Sequence, residues 1–392
     1  MCYHTSRFAA SYYSGRDPIL SNAKTHKLGI NNSDSLDTPE AYLSKDPSGM
    51  RERLRKFPAQ CREAWNRVQA FEIPAKYAKV NRVVVAGMGG SSIGGELAAD
   101  LVSSEIELPM MVCRDYSIPH FADENTLVLV CSNSGETREA LSAFRQAVSK
   151  KCKVVSITTG GTLREESKRC GVPLFEINYK GEPRSAFGYS FLVPLGLLMK
   201  LGLISDKSSE LMSALAELDG FAPNLAVENP TSANAAKRLA REVRDRLIVV
   251  YGAGIFSGVA RRWKTQLNEN AKSWAFFEIL PEAQHNSIQG YSLPSHVGRE
   301  AFIVLLKPGC LGEELEHRYM IAEEFLRERG IGYRVVEGHG GTPPSQILST
   351  VLLGDYASYY LAILQGVDPS PVPAIDMAKE RLTLLRKRAS RL

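Results

Sequence analysis

The feature that most constrains the fold is a junction. Arg82-Val83-Val84-Val85-Ala86 runs straight into Gly87-Met88-Gly89-Gly90-Ser91-Ser92-Ile93-Gly94-Gly95. Three consecutive valines suit a strand buried on both faces, and the glycines suit a tight turn into a helix, expected over Glu96–Val102. The pattern then repeats. Strands are expected at Met110–Cys113, Thr126–Cys131 and Lys153–Thr158, with helices at Thr137–Ser149 and near Leu163–Cys170. Unbroken apolar strands alternating with amphipathic helices make an α/β protein: a doubly wound, mainly parallel sheet with helices on both faces.

A second copy follows. Arg246-Leu247-Ile248-Val249-Val250-Tyr251-Gly252-Ala253-Gly254 echoes the first junction, and strands are expected again at Ala301–Leu306 and Gly332–Glu337, flanking a helix near Glu313–Arg329. The expected organisation is therefore two domains of similar topology, at 81–205 and 231–392. A helical linker occupies 206–230, a helical segment 37–80, and a C-terminal helix ends the chain. Residues 1–36, rich in Ser, Asn and Tyr, read as a loosely ordered extension.

Charge and cysteine content narrow the function classes. The net charge is +5 over 392 residues, and Lys379–Leu392 alone carries six basic residues against one acid. The body is thus neutral, unlike a domain with a basic nucleic-acid face. The seven cysteines show no Cys-x-x-Cys spacing and several lie in strand-like runs, as buried thiols of a cytoplasmic protein do. No apolar leader opens the chain, and the apolar run at Phe191–Met199 is far short of a membrane span.

The glycine loop at Gly87 admits three readings. A dinucleotide fingerprint needs a third glycine where Ser92 stands, and a phosphate-binding P-loop needs Gly-Lys-Ser/Thr, which the chain lacks. The third is a small anionic or hydroxylated ligand held by backbone N–H groups and the hydroxyls of Ser91 and Ser92; a plain strand-to-helix turn competes with it. The next strand end favours the ligand. Cys131-Ser132-Asn133-Ser134-Gly135-Glu136-Thr137 places three hydroxyls ahead of a helix, and one cap uses only one of them. Both loops fall at the carboxyl ends of strands, where doubly wound sheets bind ligands. Together they read as a sugar-phosphate site.

These two loops resemble the sugar isomerase (SIS) fold. More narrowly, the chain is similar to the bifunctional phosphoglucose/phosphomannose isomerases of archaea and some bacteria, from about residue 37 to 385. The resemblance implies phosphate contacts by Ser132, Ser134 and Thr137, with Gly90 and Ser91 closing over the sugar. Asn133 and Glu136 replace the commoner Tyr and Asn, and their side chains are expected to point away from the phosphate.

An aldose–ketose isomerase needs a base to move a proton between C1 and C2, and an acid/base to open the hexose ring. A carboxylate and a histidine suit those tasks. Asn268-Glu269-Asn270-Ala271-Lys272, followed by Pro281-Glu282-Ala283-Gln284-His285-Asn286, matches the family's catalytic segment. By that resemblance Glu269 is the base, and His285 opens the ring, reaching the substrate of a partner subunit. Arg184, in Glu182-Pro183-Arg184-Ser185, matches the arginine beside the C1 and C2 oxygens. Lys379 matches a C-terminal lysine assisting His285, although Ala378 precedes it where the family has Leu. The seven histidines show no pair at metal-ligand spacing, so neither metal nor cofactor is expected. The expected protein is a homodimeric glucose/mannose 6-phosphate isomerase. Its rivals are a phosphosugar sensor without turnover and an aminosugar-phosphate isomerase.

Overall fold

The computed structural model describes residues 36–389. All but the last residue of the expected 1–36 extension lies outside the described residues, as do Cys2, His4, His26 and Arg391. Three helices come first: α1 (Glu40–Leu43), α2 (Met50–Arg55) and α3 (Phe57–Ala70). On α3, Phe57, Cys61, Ala64, Trp65 and Val68 recur at helical spacing and are all buried.

The first sheet follows as β1 (Arg82–Gly87), α4 (Gly90–Val102), β2 (Met110–Cys113), β3 (Thr126–Cys131), α5 (Arg138–Ser149), β4 (Lys153–Thr158), α6 (Gly161–Cys170) and β5 (Leu174–Glu176). Its five strands are parallel, in the order β2-β1-β3-β4-β5. Helices α7 (Phe187–Lys200), α8 (Ser208–Phe221) and α9 (Ala235–Glu242) then lead to a second set. This set is β6 (Leu247–Gly252), α10 (Ser257–Glu269), β7 (Ala275–Ile279), α11 (Ser295–Glu300), β8 (Ala301–Lys307), α12 (Glu313–Glu328) and β9 (Gly332–Glu337). These strands are also parallel, in the order β7-β6-β8-β9. Two helices, α13 (Pro343–Leu364) and α14 (Pro373–Ala389), complete the described chain.

Period-2 alternation decides which core each strand residue joins. Val83, Val85, Leu127 and Leu129 enter the same cluster as Ile248, Val250, Phe302 and Val304 of the second sheet. Val84, Ala86, Val128 and Val130 face the other way, onto Ala140, Leu141 and Phe144 of α5. Tyr251, Ile303 and Leu305 likewise face Tyr319, Ala322 and Leu326 of α12. The two sheets therefore share one middle core, and each has a smaller core on its outer face.

Three features differ from the sequence expectation. Helix α4 begins at Gly90 rather than Glu96, because Gly89 at φ +50° completes the turn and leaves Ser91 and Ser92 in the first helical turn. Strands β5 and β7 were not anticipated: one is three residues long, and the other is an edge strand with Phe276 40% exposed. Helix α13 is long and apolar enough by length and composition to cross a membrane, yet it lies wholly buried inside the fold.

Candidate active site

In a sheet ordered 2-1-3, the connections from the central pair of strands run in opposite directions and leave a crevice at their carboxyl ends. Here that crevice lies between β1 and β3, where both polar loops emerge. The loops are stitched together, since the Asn133 N–H donates to Ser91 Oγ at 3.0 Å. Ser132 Oγ accepts from the Gly135 N–H at 3.1 Å, and Ser134 Oγ accepts from the Glu136 N–H at 3.2 Å. A hydroxyl used as an acceptor still has its own proton to donate, and an anion requires donors. Thr137 is the N-cap of α5 but makes no side-chain capping bond, so its hydroxyl is not spent on the cap that its position suggested.

The neighbouring side chains sort into two groups. The Glu136 carboxylate turns onto α6, accepting from the Thr162 N–H at 2.7 Å, as expected of a group directed away from this crevice. Ser92 and Ser132 are both buried, but Ser92 Oγ donates to the Gly89 carbonyl and accepts from Arg114 Nε at 3.2 Å, so its proton is spent within the protein. Asn133, by contrast, lines a small pocket with Gly90, Ser91 and Ser132, and its amide oxygen is buried without a protein partner. Gly90 lies against the next element of the site. A Cβ there would stand 2.9 Å from the Arg184 Cα and N, so only glycine permits this approach.

Arg184 sits in a 3-10 turn, Pro183–Ser185, and is 4% exposed. Its Nε donates to Asn270 Oδ1 at 2.6 Å, its Nη1 to Glu269 Oε2 at 3.3 Å, and its Nη2 to the carbonyls of Pro369 (2.9 Å) and Ser370 (2.7 Å). Four of the five guanidinium N–H groups are thereby engaged, which leaves one on Nη1, the nitrogen facing Glu269. Burial pulls the guanidinium below its usual range, against the attraction of Glu269 and Glu182. Glu269 is the last residue of α10, and its side chain is a quarter exposed.

A buried polar layer supports this pair. Arg262 Nη2 donates to the Arg184 carbonyl at 3.1 Å and to both oxygens of Asp355, at 2.9 and 2.6 Å. Its guanidinium lies 4.4 Å from the centre of the Phe187 ring. Gln266 also donates to Asp355, and Asn270 Nδ2 donates to Ser358 Oγ on α13. Burial pushes the Asp355 carboxyl up, opposed by Arg262. On the other side, Arg53 of α2 binds Glu182 at 2.7 Å and Ser370 Oγ at 2.9 Å. Burial works against the charge on Glu182, but hydrogen bonds and the Arg53 and Arg184 charges outweigh it and leave the carboxyl below its usual range. The sequence reading assigned no role to Arg53, Arg262, Asn270, Lys272 or Asp355. Asn270 and Lys272 lie in the segment that carries Glu269, and Asp355 shows as a charge inside the apolar run of α13.

His285 and Lys379 stand apart. His285 ends a 3-10 turn, Glu282–His285, beyond β7, with its side chain exposed. Lys379 is exposed on α14, 3.7 Å from Asp376. Among the described residues, neither bonds to Arg184, Glu269 or the serine loops.

The chain resembles known proteins along most of its length. Residues 232–382 match the family model of the bacterial phospho-glucose isomerase C-terminal SIS domain. The chain is 34% identical over 338 residues to a bifunctional phosphoglucose/phosphomannose isomerase of Caldicellulosiruptor bescii, covering 86% of this chain and all of that protein. Its counterpart from Aquifex aeolicus is 33% identical, over 81% of this chain and 95% of that protein. Among solved structures, a hypothetical protein from Thermus thermophilus superposes with a TM-score of 0.69 at 18% identity, covering 89% of this chain and 93% of that one. A glucose-6-phosphate isomerase like protein from the same organism gives 0.60 at 22% identity, over 86% and 98%. These likenesses at low identity speak for the fold, and the full-length relatives at a third identity speak for descent. The chain belongs to the bifunctional phosphoglucose/phosphomannose isomerase family.

Proposed function

We propose that the protein interconverts glucose 6-phosphate and fructose 6-phosphate, and mannose 6-phosphate and fructose 6-phosphate, by proton transfer through a shared enediol. The observation that carries this reading is the approach of the Glu269 carboxylate to Arg184 at 3.3 Å, beside a crevice lined with hydroxyl donors. In this scheme the substrate phosphate takes the hydroxyls of Ser132, Ser134 and Thr137 and the positive end of α5. Gly90 and Ser91 close over the sugar. Glu269 removes the C2 proton of the aldose and returns it at C1, and the reverse reaction uses the same group. The remaining Nη1 hydrogen of Arg184 stabilises the enediolate oxygen, worth about 3 kcal/mol for one well-aimed donor. Glucose and mannose differ only at C2, so rotation about C2–C3 before reprotonation accounts for both substrates.

Ring opening falls to His285, assisted by Lys379. Both are exposed, and neither bonds to Glu269 or Arg184 among the described residues, which favours a homodimer in which they complete the partner's site. Trp274 and Phe276, 75% and 40% exposed at the edge strand that precedes His285, favour the same surface. The sensor reading has nothing comparable to explain a carboxylate aimed at a buried arginine. Free cysteines at Cys61, Cys113, Cys131 and Cys152 accord with a cytoplasmic setting.

The test is turnover of purified protein on each aldose phosphate separately, with EDTA present. Fructose 6-phosphate from both is the expected result. Product from glucose 6-phosphate alone would narrow the specificity, and phosphosugar binding without turnover would leave a sensor. In the same assay, Glu269→Gln is expected to bind substrate but lose at least ~100-fold in kcat, the low end for a general base. Near-normal turnover by that variant would remove Glu269 from the role.

A further inference from the structure

The segment Asn-Glu-Asn-Ala-Lys ends with a lysine that the chemistry above does not use. Lys272 follows the C-terminus of α10 in the left-handed region, at φ +56°. That turn folds its side chain back across the end of the helix. Its Nζ donates to the carbonyls of Glu269 (2.9 Å) and Asn270 (3.1 Å), as cations near a helix C-terminus do. The same ammonium reaches across to a second segment, donating to the carbonyls of Asp368 (2.6 Å) and Pro369 (3.1 Å). Pro369 and Ser370 are the residues whose carbonyls hold Arg184 Nη2. Arg184 and Lys272 therefore share the Pro369 oxygen as an acceptor, and residues 368–370 form a strap between the base-bearing helix and the arginine.

We propose that Lys272 is a positioning residue for the isomerase reaction, fixing the strap so that Arg184 keeps one Nη1 hydrogen directed at the reacting oxygens. A helix cap needs only the Glu269 and Asn270 carbonyls, whereas the two bonds to the strap tie α10 to the acceptors of Arg184. Two cations are also brought close together here. The Lys272 ammonium is pushed down to about 8 by loss of hydration and by the nearby Arg184 charge. Arg53 holds the strap from the far side through Ser370 Oγ, so loss of Lys272 loosens the strap without releasing it.

This inference rests on the isomerase reading, and the experiment separates the two. Peptide-level hydrogen exchange over residues 366–372, which needs no activity, is compared between the unmodified protein and Lys272→Met. kcat and KM on glucose 6-phosphate are measured on the same preparations. The expected result is faster exchange in the strap and kcat reduced roughly 10-fold, with KM within about threefold because the serine loops are untouched. Lys272→Arg, which can still donate to several carbonyls, is expected to restore most of kcat. If the methionine variant does not fold, Lys272→Gln takes its place. Unchanged strap exchange, unchanged kcat, or equal losses in the arginine and methionine variants would overturn the positioning role. No turnover by the unmodified protein would instead overturn the isomerase reading, while the exchange result stood on its own.

Discussion

The protein contains the same crevice twice. Both sheets run 2-1-3-4 through their central strands, and each opens between its first and third strand. In the first sheet the crevice is lined by hydroxyls that retain protons to donate. In the second, the protein answers its own donors. Asp100, from α4, accepts the Gly258 N–H in the first turn of α10 at 2.6 Å. The loop after β8 gives its Gly309 N–H to Gln346 at 2.8 Å, and the first turn of α12 carries Glu313, Glu314 and Glu316. The anion proposed for the first crevice would meet acidic side chains in the second. The fold supplies a place, and a few side chains decide whether it is a binding site or a joint. The second sheet contributes to chemistry by another route, because the N-terminus of α10 is docked on α4 and its C-terminus delivers Glu269 beside Arg184.

The most forceful way to break this contrast is to make the first crevice resemble the second. Ser134 is exposed, so Ser134→Asp should fold normally. A carboxylate facing the substrate phosphate costs several kcal/mol, and KM should rise roughly 100-fold. A KM within about threefold of the unmodified value would place the phosphate elsewhere.

A smaller effect sharpens the contrast at the joint. Burial pushes Asp100 up to about 7, against the Gly258 hydrogen bond. A raised carboxyl binds a proton more tightly in the folded state, so its stabilising contribution is complete below about pH 4 and is lost as pH rises to 7. Asp100→Asn keeps an acceptor for Gly258 and removes the titration. Relative to the unmodified protein its unfolding free energy should rise by about 1 kcal/mol per pH unit between about pH 4 and pH 7, then hold level, as read from urea unfolding at each pH. The opposite trend would mean that a charged carboxylate, not a neutral acid, closes the joint.

The smallest effect concerns α12. Glu313→Gln with Glu314→Gln removes acids that favour the positive helix end, and stability should fall by about 1 kcal/mol or less. Turnover should not change. A loss of activity would show that the second crevice participates after all.

What the sequence disclosed follows the same division. Strands β1 and β3 were legible because a strand buried on both faces reads as an unbroken apolar run, and the loops behind them sit at fixed offsets. Strands β5 and β7, short or at an edge, bury too little to leave such a mark. Ser132 and Ser134 were legible as a local cluster, and Ser91 as part of the glycine loop. The Arg184 clamp was not, because Asn270 and Ser370 lie 86 and 186 residues from it and no local pattern encodes that meeting. Thr137 shows the limit of position alone, since it stands at the N-cap of α5 and its side chain makes no capping bond.

One buried residue distinguishes α13 from a membrane span. Helix α13 is apolar over a length that would span a lipid bilayer, yet it packs inside the fold. Asp355 lies near its midpoint. A carboxylate there adds about 3 kcal/mol to the free energy of entering lipid. The anchor of Arg262 in the fold is thus also the charge that sets this helix apart from a membrane span.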